Sequence, residues 1–289
     1  MHGKILVGVD ERERSRDALA LGRLIAGKTG AELIAVHAYS VAGDFPIPSD
    51  PTWDEAMHQV ALKVVADAIA GGPDGERAEA LQSSPARSLH DLAEREQADL
   101  IVVGSSERGA LGRLTAGSTA HSLLSGAPCP VAVAPAGYAE RPEQRLETMG
   151  VAYDGRPESD VALESAIDLA RSAGARLHLV TLAYPPDRPF LGEGPAPVDV
   201  TAMLESITKK MQPVQDAAMA RISDDVEHSG QVFADPQVAL VDVEGVDVMV
   251  MGSRNYGPLR RVLLGSLARQ VMSSAPWPVI VVPRGAGGT

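Results

Sequence analysis

The chain has 289 residues, 45% of them hydrophobic but only 3% aromatic, with a formal net charge of −12. That charge is spread as −7 through Gln144 and −5 beyond it, so neither half offers the basic face that a nucleic-acid partner needs. The lone Cys129 excludes an internal disulfide, and no apolar run reaches the roughly 18 residues of a membrane span, so a cytoplasmic chain with no membrane partner is expected.

The elements follow one another in a regular alternation. "KILVGVD" reads as a buried strand ending at Asp10. Ser15 is placed to cap the next segment, where Ala18, Leu19, Leu21, Leu24 and Ile25 recur at helical spacing and Gly30 ends the helix. "AELIAVHAY" is a second strand, proline-rich "DFPIPSDPTW" a loop, and "WDEAMHQVALKVVADAIA" an amphipathic helix. A weak third strand falls near "ERAEALQS", then helix "ARSLHDLAEREQA", strand "DLIVVG", a helix opening over Gly117 to Leu124, and strand "CPVAVAP". Cys129, between two prolines, reads as a buried structural residue. Such alternation means a parallel sheet with right-handed crossovers and helices on both faces.

The same pattern is written twice. "ILVGVD" returns as "MGVAYD", "DLIVVGSSERGALGRLTAGST" as "DVMVMGSRNYGPLRRVLLGSL", and "APCPVAVAP" as "APWPVIVVP", at an offset of 144 to 148 residues. Two domains, residues 1–140 and 145–289, are therefore expected to meet at "YAERPEQR".

"GRLIAGKT", Gly22 to Thr29, fits the phosphate-loop pattern G-x-x-x-x-G-K-[ST]. That loop must follow a strand and open a helix. Here the stretch sits inside a helix and its exit, and the second copy reads "AIDLARSA" with neither glycine pair nor lysine. Lys28 is instead a last-turn cation placed favourably against the helix dipole.

In an open parallel sheet, ligands sit beyond the carboxyl ends of the strands, where the strand order reverses. Those ends are Asp10, the His37 region and Gly104 in the first copy, and Asp154, Thr181-Leu182 and Gly252 in the second. Gly104 and Gly117 are thirteen apart with Ser118 following, and Gly252 and Gly265 are thirteen apart with Ser266 following. Free N–H groups and a serine hydroxyl at such a helix start can receive an anion. His37 and His121 read as hydrogen-bonded structural residues. No H-E-x-x-H, Cys-x-x-Cys or nucleophile elbow occurs, so no metal site and no catalytic residue is assigned.

With "GSSERGALGRLTAGS" and "GSRNYGPLRRVLLGS", the opening aspartates, the pairs Ser84-Pro85 and Asp235-Pro236, and the closing "P-V-x-V-x-P", the chain resembles the universal stress proteins in their tandem form. The resemblance covers nearly the whole chain. It implies an α/β fold of two tandem doubly wound domains, each a five-stranded parallel sheet of order 3-2-1-4-5 with helices on both faces. It also implies that the fifth strands pair between domains, here within one chain, and leaves a homodimer open. The function implied is binding and regulation in a stress response, without enzymatic activity beyond at most weak ATP hydrolysis.

The partner it implies is an adenine nucleotide, ATP, which Mg²⁺ can accompany. Carried over residue by residue, the cofactor-binding positions are Asp10, Ala38, Gly104, Gly117 and Ser118. In the second copy they are Asp154, Gly155, Leu182, Gly252, Arg254, Asn255, Gly265 and Ser266.

The motif's second glycine is Glu107 in one copy and Asn255 in the other, and Glu11 stands where the second copy has Gly155. Glu107 brings a negative charge toward the phosphates, whereas Arg254, Arg260 and Arg261 accompany Asn255, so stronger binding is expected in the second copy. Two alternatives stay open: an interaction module of the same fold without ligand, and a nucleotide-processing enzyme of a related α/β fold. The latter's HxGH or SGGxDS motif is absent. Lys28→Ala is expected to leave ATP affinity unchanged within about twofold in a calorimetric titration, and a tenfold loss, about 1.4 kcal/mol, would restore the phosphate-loop reading.

Overall fold

The computed structural model describes residues 3–39, 51–106, 117–182, 200–233, 243, 245–253 and 275–283, with the backbone alone at 51, 182 and 200–204. Among the described residues the first half runs β1 (Lys4–Val9), α1 (Arg14–Thr29), β2 (Glu32–Tyr39), α2 (Pro51–Ile69), β3 (Arg77–Gln82), α3 (Pro85–Glu96), β4 (Leu100–Gly104), α4 (Ser118–Leu124) and β5 (Val131–Ala134). The second runs β6 (Thr148–Tyr153), α5 (Pro157–Ala173), β7 (Arg176–Leu182), α6 (Val200–Met219), β8 (His228–Phe233), β9 (Val248–Gly252) and β10 (Val279–Val282).

The strands form one sheet, in the order β3-β2-β1-β4-β5-β10-β9-β6-β7-β8. Each half is a doubly wound 3-2-1-4-5 unit, parallel throughout. The halves join antiparallel, with Val133 opposite Val279, Ala132 opposite Ile280 and Val131 opposite Val281. Each fifth strand would otherwise be an open edge of buried, apolar residues, and each removes the other's liability.

Side-chain alternation along the strands splits the core into two layers. Ile5, Val7 and Val9 join α1, α5 and, across the seam, Ala132 and Ile280 on one face. Leu6, Val131, Val133, Val279 and Val281 join α3 and α4 on the other. Each layer therefore spans both halves, and burying both faces is what the nearly continuous apolar runs of the strands require. Cys129 belongs to the second layer at 6% exposure, and burial, helped by the charge of Asp99, pushes its thiol up to about 12. It stays a protonated packing residue at neutral pH.

Helix α1 shows how the local signals resolve. Gly22 lies where it presses on β1, since a Cβ there would stand 2.6 Å from Val7 Cγ2. Gly27 and Lys28 are exposed in the last turns, and Thr29 Oγ1 donates back to the Ile25 carbonyl. The helix stops at Gly30 (φ 72°), as α5 stops at Gly174 (φ 66°), both in the left-handed conformation that glycine adopts freely. The capping expectation for Ser15 is corrected. Glu13 is the N-cap residue, and the Ser15 hydroxyl, inside the first turn, is engaged by Asp10 instead.

The connection between the halves is strapped to α1. Asp17, 5% exposed, accepts hydrogen bonds from the backbone N–H groups of Gly137 (2.9 Å) and Ala139 (2.8 Å). Tyr138 between them is buried, and Arg141 stacks over its ring and donates to the Pro276 carbonyl of the other half. The position matching Asp17 in the second copy is Val161, so one carboxylate serves this connection. Asp17→Ala strands two backbone donors and is expected to cost about 3 kcal/mol in urea unfolding, with Asp17→Asn milder because its carbonyl still accepts. A loss below about 0.5 kcal/mol, the range of ordinary surface changes, would show that the strap contributes nothing.

Candidate functional site

The crevice of the first half opens at the carboxyl ends of β1, β2 and β4, beside the point where strand order reverses. A cavity of about 420 Å³ lies there. Its walls bring together Asp10, Ala38, Gly104, Gly117 and Ser118, all five positions singled out in this copy.

The loop from β1 into α1 is built around the aspartate. Asp10 N–H donates to Ser15 Oγ (2.6 Å), whose proton is within reach of Asp10 Oδ1 (2.8 Å). The same Oδ1 accepts from Arg12 N–H (3.0 Å). One carboxylate oxygen thus holds the loop while the other stands 3.9 Å from Arg12 Nε, in a side chain 49% exposed. The second half repeats the device: Arg156 N–H donates to Asp154 Oδ1 (3.2 Å) and Asp154 N–H to Ser159 Oγ (3.4 Å). The underlying signal, D-x-R-x-x-S at Asp10-Arg12-Ser15 and again at Asp154-Arg156-Ser159, is visible in the sequence and was missed there.

The glycines separate into two kinds. A Cβ on Gly104 would stand 2.6 Å from the Arg14 carbonyl oxygen, and one on Gly252 would stand 2.1 Å from that of Glu158. Arg14 and Glu158 are matching positions four residues past the aspartates, so the same close approach of helix to strand occurs in both halves. Gly155 is likewise structural, with φ 76° and Val214 of α6 against it. Gly117 differs. Its φ is −73°, and its nearest neighbour among the described residues would be Ser106 at 3.7 Å, an ordinary contact.

The two strand-two ends also diverge. His37 Nδ1 lies 2.9 Å from the Val9 carbonyl, which can only accept, so Nδ1 carries a proton. The ring lines the cavity while holding β2 to β1, so the structural reading of His37 stands and a cavity wall is added to it. Its counterpart Thr181 is fully buried, 3.1 Å from Gln215 Nε2, itself 1% exposed. Tyr153 replaces Val9 beside it and donates to Asp160 (2.8 Å). Asp154, Gly155, the Leu182 backbone and Gly252 end their strands or start their loops as expected. Arg254, Asn255, Gly265 and Ser266, like Glu107, lie outside the described residues.

The wall residues that escaped the sequence reading include Arg14, Ser105 and Thr119. Arg14 Nη1 donates to the Ser105 carbonyl at 3.0 Å. Among the described residues no group of acidic, histidine or cysteine side chains could hold a metal ion, and no helix is long and apolar enough to cross a membrane.

Two doubly wound halves in tandem, each with an aspartate-anchored loop at its crevice, define a duplicated α/β protein. The model of the universal stress protein family matches residues 1–135 and again 146–283, and the chain belongs to that family. It is 30% identical over 296 residues to a universal stress protein of Mycobacterium tuberculosis H37Rv, covering 97% of this chain and 96% of that one. A Mycolicibacterium smegmatis universal stress protein is 32% identical over 292 residues, with 96% of each covered. In structure, the chain is similar to a universal stress protein from Archaeoglobus fulgidus, with a TM-score of 0.62 at 22% identity over 98% of this chain and 96% of that one.

The contrast between the glycines is open to measurement. Gly104→Ala is expected to destabilise the fold by about 2 kcal/mol through overpacking against Arg14. Gly117→Ala should stay within about 0.5 kcal/mol. Thermal or denaturant melts of both variants decide, and equal losses would mean that Gly117 too serves the fold.

Proposed function

We propose that the chain is a cytoplasmic stress-response protein of two domains, residues 1–140 and 145–289, that binds an adenine nucleotide, ATP foremost, and acts by binding rather than by turning it over. The observation that carries this reading is the convergence of Asp10, Ala38, Gly104, Gly117 and Ser118 on one cavity at the switch point of the sheet. Gly117 adds weight, because its dihedral angle does not require a glycine and no described residue crowds the position. A residue without a side chain leaves the backbone open to a group from outside, which is how glycines let phosphates approach. The half-exposed Asp10 carboxylate can accept from a sugar hydroxyl, or meet Mg²⁺ travelling with the phosphates.

The test is a calorimetric titration of the full chain with Mg-ATP, beside chromatography of the acid extract for nucleotide carried through purification. Saturable ATP binding is expected, with a loss of about tenfold or more in Gly117→Val at unchanged melting temperature. No binding and no carried nucleotide would overturn the reading. Sustained phosphate release above that of the Gly117→Val variant would make the protein an enzyme instead.

A further inference from the structure

The two crevices are unequal in charge where the framework is described. Among the described residues Arg12 and Arg14 line the first, with Asp10 as the one acidic wall residue, while Glu11 and Glu13 are exposed and outside the lining. The matching stretch of the second half carries Arg156, Asp154 and, in the place of Arg14, Glu158. Arg14 is half-buried at the foot of the cavity. One guanidinium N–H is committed to the Ser105 carbonyl, and no carboxylate of the described residues pairs with it. Beside it, Ser105 is 4% exposed, and its hydroxyl has no hydrogen-bond partner among the described residues. Its backbone N–H is already donated to the Ala134 carbonyl (2.9 Å), so the hydroxyl alone is unsatisfied. A cation that no carboxylate of the described residues balances, in the wall of a 420 Å³ cavity, can receive an anion there.

We propose that Arg14 reads a phosphate of the bound nucleotide, and that the first-half crevice is the chain's anion site, filled once per chain. This rests on the nucleotide reading above. It departs from the preference that the charges of the two glycine loops suggest, because it weighs the arginine that the first crevice carries in its wall at position 14 against the glutamate at the matching position 158. The Arg14 backbone is wedged against Gly104 and its head is tied to Ser105, so little freedom is lost when an anion arrives. Ser253, the counterpart of Ser105, is also buried with an unpartnered hydroxyl, so what separates the halves is the arginine and not the serine.

The experiment titrates the full chain with Mg-ATP and, separately, with adenosine, which lacks phosphate. One ATP per chain is expected. Arg14→Glu, which copies the second half, should weaken ATP by about tenfold or more and leave adenosine within about twofold. Arg14→Gln keeps an N–H for the Ser105 carbonyl but not the charge, and carries the test if Arg14→Glu unfolds by circular dichroism. Glu158→Gln should leave one ATP per chain. Two equal ATP sites, or ATP binding unchanged in both Arg14 variants, would overturn the assignment while the nucleotide reading stands. Equal losses for ATP and adenosine would reduce Arg14 to a scaffold residue. A chain that binds neither ligand would overturn the nucleotide reading itself.

Discussion

The first turn of α1 meets the end of β4 so closely that no side chain fits between them. Gly104 faces the Arg14 carbonyl, and in the other half Gly252 faces the carbonyl of Glu158. This contact sets the depth of each crevice. It draws the helix start over the strand end, so that the loop between β1 and α1 must turn tightly, and the Asp10–Ser15 hydrogen bonds hold that turn. It also aims the side chain of residue 14 across the mouth of β4 toward Ser105. The scaffold has thus placed a wall residue by a packing contact, and the identity of that residue decides the charge of the crevice.

The second constraint is the seam. A doubly wound unit ending in a short strand of buried residues such as "VAVA" cannot stand alone in water without exposing an apolar edge. Duplication places a second such strand in the same chain, and antiparallel pairing of β5 with β10 closes both edges at once. The two cores then merge face by face. The connection is anchored at both ends of its short path, by Asp17 on one side and by Arg141 reaching the Pro276 carbonyl on the other.

Within this symmetric frame the two halves have drifted apart at matching positions. His37 corresponds to Thr181, Val9 to Tyr153, Arg14 to Glu158 and Asp17 to Val161. The second half fills its strand-two end with a buried Thr181–Gln215 contact and a Tyr153–Asp160 hydrogen bond. The first half leaves a polar cavity there, ringed by hydroxyls and arginines. Duplicated folds keep what packing demands and release the rest, which fits the survival of the wedged glycines in both halves beside divergent wall residues.

The sequence by itself determined the alternation of strand and helix, the internal repeat, the helix stops at Gly30 and Gly174, and the disqualification of "GRLIAGKT". These are local or periodic signals, legible without knowing what touches what. It also marked Asp10, Ala38, Gly104, Gly117 and Ser118, which the fold gathers around one cavity. Only the tertiary structure decided why each glycine is there. Gly104 and Gly117 look alike as letters, yet one is wedged under a carbonyl and the other is not. Only the fold could join Asp17 to residues 120 and 122 positions away, or bring Arg14 to Ser105 across 91 positions. Contacts at such separations are set by the crossing of elements in space, and no spacing along the chain encodes them.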